Sequence, residues 1–176
     1  MSTAKTLKNL TLSAVFIALI TTSIFFVRVT LPWGGVIHFG DALVWIAAAI
    51  LPFPYGLAVA ALGPGLFNLF AGLTMWFPFT IIIKPVTALF FTSRESTILS
   101  KRNTVAPFIA GAVNMVLYFA ATISLFAFGV LATDEPNIWI AGAIALPGDV
   151  VQACGSIASF FIISAVLDKI KFKKLY

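Results

Sequence analysis

Long apolar runs, separated by short polar or proline-bearing stretches, dominate the chain. They fall near residues 7–27, 41–52, 54–72, 77–93, 105–131 and 140–168. Bilayer hydrocarbon is about 30 Å thick and takes roughly 20 apolar residues of helix, fewer where neighbouring protein shields the helix. Each run therefore predicts a spanning helix. Pro52 and Pro54 divide what would otherwise be one long segment, because proline removes a backbone donor and clashes with the preceding turn. The expected fold class is all-α: an integral membrane bundle of six transmembrane helices forming a single domain over residues 1–176.

Charge orients this bundle. Lys5 and Lys8 precede the first run, Arg94, Lys101 and Arg102 sit in "SRESTILSKRN", and Lys169, Lys171, Lys173 and Lys174 follow the last. If all three clusters are cytoplasmic, as the positive-inside rule favours, an even number of crossings separates each pair. Four crossings and then two satisfy this, with both termini inside and the acidic "TDEPN" loop outside. A signal peptide over residues 1–29 is the competing reading. It lacks a small-x-small cleavage site, and its removal would leave five spans.

Composition agrees with lipid as the solvent: 61% of residues are hydrophobic and 10% charged, far from the mix of soluble domains. The net charge of +5 is accounted for by span-flanking clusters that meet lipid head groups, without nucleic acid as a partner. Cys154 is the single cysteine, so an internal disulfide and a thiolate metal cluster are excluded, and it reads as a small buried residue. His38 is the single histidine, and no metal site is expected. "GPGLFNLFAG" lacks the lysine and hydroxyl of a phosphate-binding loop, and G-x-S-x-G, H-E-x-x-H and C-x-x-C are all missing. Neither an enzyme nor a cofactor-bearing protein is expected, and no internal repeat is visible.

The informative residues are polar ones inside apolar runs. Lys84 in "FTIIIKPVTALFF" lies about two turns inside its helix, where an ionisable group needs a partner or a cavity. Asp149, Gln152, Ser156 and Ser159 follow the spacing i, i+3, i+7, i+10 and share one helical face. Asn114 and Tyr118 form an i, i+4 pair on another helix. These stripes either bind helix to helix or contact a ligand, and Lys84 and Asp149 either contact that ligand or pair with each other. Arg28 ends the first span and is expected to snorkel to the head groups. In "RVTLPWGGVIHFGDA", an outer loop turned by glycines, Asp41 reads as an N-cap of the second span and His38 as a hydrogen-bonding residue above the stripes. Trp33, Trp76 and Trp139 at outer span ends fit an aromatic belt as well as a stacking role.

Together, "GGVIHFGDALVWIAAAILPFPYGLAVAALGPGLFNLFAG" and "MWFPFTIIIKPVTALFF" resemble the riboflavin-type S components of energy-coupling factor (ECF) transporters. The likeness spans residues 7–93 by motif and the whole chain by length and span pattern. It implies a multi-pass protein of the prokaryotic plasma membrane that captures a vitamin or related small molecule at the outer face. A transmembrane coupling subunit and two ATPase subunits would drive release inward. The family site, between spans four to six, maps to Lys84, Asn114, Tyr118, Trp139, Asp149 and Gln152, with His38 above them. An alanine pair in the first span of the family meets the coupling subunit, and here that pair is Ala14 and Ala18, at a spacing that lets helices approach closely. Pro85, where relatives commonly carry glycine, and Asn68, where an acid is frequent, depart from the pattern; the proline is expected to kink the fourth helix. Pyridoxine-like or pyrimidine-type ligands suit an ionised pair in a small pocket. The rival classes are a stand-alone secondary transporter or channel, with Lys84 and Asp149 along its ion path, and a structural membrane protein without a ligand.

Overall fold

The computed structural model describes residues 3–30, 36–38 and 40–175; Trp33 lies outside them. Helix α1 (Thr3–Phe26) leads into a two-stranded antiparallel hairpin, β1 (Arg28–Thr30) and β2 (Val36–His38), which pairs Arg28 with His38 and Val29 with Ile37. The fold is the helical bundle that the sequence predicts, with this small hairpin as an addition that the sequence did not announce. Three-residue strands are too short for a period-two pattern to register, but their β-branched residues suit a pleated backbone. Six further helices complete the bundle among the described residues: α2 (Gly40–Ile50), α3 (Phe53–Phe70), α4 (Phe77–Ala88), α5 (Lys101–Ala127) and the pair α6 (Ile138–Ala143) and α7 (Leu146–Lys169), followed by the short α8 (Phe172–Leu175).

Proline and glycine set the breaks. Pro54 and Pro78 stand in the first turns of α3 and α4, where their missing N–H is not needed. Pro147 does the same for α7, separating it from α6 where the sequence had suggested one continuous span. Gly72 and Gly129 adopt positive φ (72° and 67°) just past the ends of α3 and α5, and the next amides, of Leu73 and Val130, donate back to Asn68 and Leu125. That is the left-handed helix stop that glycine permits.

Four segments are long and apolar enough to cross a membrane: α1, α3, α5 and the α6–α7 stretch Ile138–Lys169. Helices α2 and α4 are shorter, about 17 Å at 1.5 Å per residue. α2 touches α1, α3, α4 and α7, and most of its residues, from Asp41 to Ile50, are buried. Around it, α1 packs on α3, α3 on α4, α4 on α5, and α5 on α7. Large apolar side chains such as Val15, Phe70, Ile82, Val116 and Ile162 face outward, as hydrocarbon solvent requires. The result is a helical membrane bundle wrapped around one central helix.

The two ends of the bundle differ. At one end, a recess of about 340 Å³ gathers Lys5, Lys8, Glu95, Lys173 and Lys174, so residues from all three parts of the chain that carry basic clusters meet there. Lys173 donates to the carbonyls of Ala49 (2.9 Å) and Ser93 (3.1 Å), and Arg102 to those of Phe90 (2.7 Å) and Leu89 (2.8 Å). These cations satisfy carbonyls that helix ends leave open. Burial lowers the pKa of Lys173. Asp168 accepts the amides of Ile98 and Leu99, and Asn103 bridges Thr92 and Ile98, fixing the loop between α4 and α5. Along α7, about 30 Å from Lys169 at 1.5 Å per residue, the opposite end holds a different set of polar groups.

Candidate functional site

A cavity of about 200 Å³ opens at that opposite end, walled by β2, the start of α2, the end of α3, α4, α5 and the start of α7. Each wall brings a polar residue on an otherwise apolar helix. His38, Lys84, Asn114, Tyr118, Asp149 and Gln152, six of the seven residues singled out in the sequence, line this one space, together with Asp41, Asn68, Trp76 and Thr80. Trp139 is not brought to it. That side chain is 61% exposed and packs on Phe119 with ring centroids 6.3 Å apart.

Lys84 forms the centre. Its Nζ lies 2.5 Å from Asp41 Oδ1 and 3.0 Å from Asn114 Oδ1, and 4.9 Å from the centroid of the Tyr118 ring. Lys84 and Asp41 are both buried, at 4% and 3% exposure. An ion pair in such a place survives desolvation only with further hydrogen bonds, and it has them: Asp41 Oδ2 accepts from Gln152 Nε2 at 3.2 Å. Asp41 is therefore the partner of Lys84, and the capping role expected of it is corrected. Among the described residues Asp149, the other candidate for that pairing, forms neither an ion pair nor a hydrogen bond with Lys84. The helix start is served instead by His38, whose Nδ1 accepts from Gly40 N at 3.1 Å. α4 continues through Pro85 to Ala88.

Gln152 latches the hairpin to the bundle. Its Oε1 accepts from the backbone N of His38 at 2.6 Å, while its Nε2 donates to His38 O at 2.8 Å. The same amide reaches Ser156 Oγ at 3.3 Å on its own helix. One side chain thus satisfies both backbone groups of a strand residue and braces the ion pair. Burial, aided by the charge of Lys84, holds the pKa of His38 down at about 4 against the opposing pull of Asp41. The ring is neutral at pH 7, with Nδ1 as acceptor.

A second polar chain runs along the other wall. Asn68 Nδ2 donates to Thr80 Oγ1 at 2.7 Å, and Thr80 shares a 3.0 Å hydrogen bond with Tyr118 Oη. The Trp76 ring stands 6.1 Å from that of Tyr118. Asn68 and Thr80 were missed as site residues, although an amide in an apolar span is the same signal that marked Asn114. Trp76 was read with the belt residues, and nothing local to it in sequence separates it from Trp139. Among the described residues no three His, Cys, Asp or Glu side chains are placed to hold a metal ion.

Other residues settle outside the cavity. Ala14 and Ala18 are exposed on the outer face of α1. Arg28 lays its guanidinium over Phe25 and Phe67, 5.3 Å from each centroid, a cation–π contact at the span end. Cys154, expected to be buried, is exposed on α7.

A family model described as "ECF-type riboflavin transporter, S component" matches residues 4–169, nearly the whole chain. The chain matches no curated protein.

Proposed function

Since the chain belongs to the family of ECF-type riboflavin transporter S components, a family of membrane transport subunits and not of enzymes, we propose that its cavity captures a compact, vitamin-like heteroaromatic molecule at the outer face of the cell membrane. The observation that carries this reading is the convergence of six sequence-marked polar residues on one cavity at the end opposite the basic clusters. Ligand pockets join apolar and aromatic walls to a few placed polar groups, and Trp76, Tyr118, Asn114 and Asp149 supply that combination. A volume of about 200 Å³ suits a molecule of one or two rings.

The same reading takes α2 and α4 as crossings shielded by their neighbours, giving six spans with both termini cytoplasmic. The common end of the basic clusters supports it. Delivery inward is assigned to a transmembrane coupling subunit with two ATPase subunits, and the exposed pair Ala14 and Ala18 is the proposed contact with that coupling subunit.

Native mass spectrometry of the purified protein tests the capture reading. A stoichiometric, vitamin-sized heteroaromatic ligand is expected, retained in Ala14→Trp even as that variant loses assembly with a coupling module. A protein that carries no ligand and shows no thermal shift with a vitamin panel would overturn it.

A further inference from the structure

The charges of the cavity do not balance. Among the described residues that line it, Lys84 is the one cation, and its ammonium is already engaged by Asp41, Asn114 and the Tyr118 ring. An ammonium has three protons to donate, and these three partners surround it. Asp41 is satisfied on both oxygens, by Lys84 and Gln152. His38 is neutral at pH 7. What remains is the carboxylate of Asp149, which lines the same space from the first turn of α7. Among the described residues it has neither an ion pair nor a hydrogen bond through its side chain.

A half-buried carboxylate without a partner is an unfavourable arrangement, and it stands beside Asp41, Gln152, Thr80 and Tyr118, whose polar groups are all hydrogen-bonded. The helix start beneath Asp149 compensates part of its charge but leaves its lone pairs open to the cavity. Asn114 adds a second open group. Lysine only donates, so Asn114 must turn its oxygen toward Lys84, and its NH₂ is left for an acceptor. The cavity therefore presents the acid Asp149, the amide donor of Asn114 and the rings of Phe67, Trp76 and Tyr118, with no uncommitted cation among the described residues.

We propose that the cavity selects a heteroaromatic ligand bearing a positively charged nitrogen, which pairs with Asp149, and that it discriminates against anionic analogues of the same ring. This rests on the reading of the cavity as a capture site and deepens it. A carboxylated or phosphorylated ligand would meet Asp149 with like charge, and could reach Lys84 only by breaking the buried pair.

The test is a charge series on the full-length protein in detergent at pH 7.5: pyridoxamine, pyridoxine and pyridoxal phosphate on one ring, thiamine and thiamine diphosphate on another, and riboflavin as a neutral reference. Binding is measured by titration calorimetry. A cationic member is expected to bind roughly 10- to 100-fold more tightly than its neutral or anionic counterpart, the range of a charge-assisted hydrogen bond. Asp149→Asn should abolish that preference and Asp149→Glu should retain it. Tightest binding by riboflavin or by an anionic member, unchanged in Asp149→Asn, would overturn the charge rule while leaving the capture reading standing. Failure of every compound to bind, in a protein that also carries no co-purified ligand, would overturn both.

Discussion

The start of α2 and the start of α7 meet at the cavity, and each places an aspartate there. Asp41 is 3% exposed and bonded on both oxygens, to Lys84 and to Gln152. Asp149 is half-buried and has no such partner among the described residues. The same side chain at the same kind of helix position thus does two different jobs. One holds the walls together, since its partners come from α4 and α7. The other is left facing the space those walls enclose. The comparison teaches that polarity inside a membrane bundle is not itself a mark of ligand contact; whether the hydrogen-bonding capacity is already used decides the role.

Removing the cation should break this division most severely. Lys84→Met leaves Asp41 buried without its counter-charge, and the protein is expected to lose about 3–5 kcal/mol, as when one half of a buried pair is deleted. Thermal unfolding in detergent would measure it. Replacing both partners, as Lys84→Met with Asp41→Leu, should restore much of the loss, because no uncompensated charge then remains.

A smaller effect should come from the hairpin side. The folded-state pKa of His38 is about 4, below the usual 6.5, so between these values the unfolded chain binds a proton that the folded chain does not. Stability is therefore expected to fall as pH drops from about 6.5 toward 4, and to be flat in this respect above pH 7. His38→Asn keeps an acceptor near the position of Nδ1 but does not titrate. Its melting temperature should gain on that of the wild type as pH falls from 7 to 5, and a constant difference would contradict the buried neutral ring.

The same contrast explains how far the sequence could be read. Lys84, Asn114, Asp149 and Gln152 stood out because ionisable and amide groups in hydrocarbon are unfavourable without a reason, and the structure brings them to one cavity. The four long apolar helices lie where hydropathy put spans. Asp41 was legible as a residue but not as a partner, because an acid at a helix start looks like a cap, and its pairing with Lys84 is made by tertiary packing across 43 positions of chain. The hairpin was hidden by strands too short to show alternation. Trp76 and Trp139 both sit at span ends, and only the turn before α4 brings one of them beside Tyr118.

The most direct measurement is the thermal stability of Asp41→Asn and Asp149→Asn, side by side and without ligand, in one detergent. Asp41→Asn is expected to melt well below the wild type, because Lys84 loses its counter-charge, and Asp149→Asn to melt at or above it, because the change relieves an unpartnered acid. Equal destabilisation by the two substitutions would show that Asp149 also holds the bundle together, and would contradict the division of roles on which this account of the cavity stands.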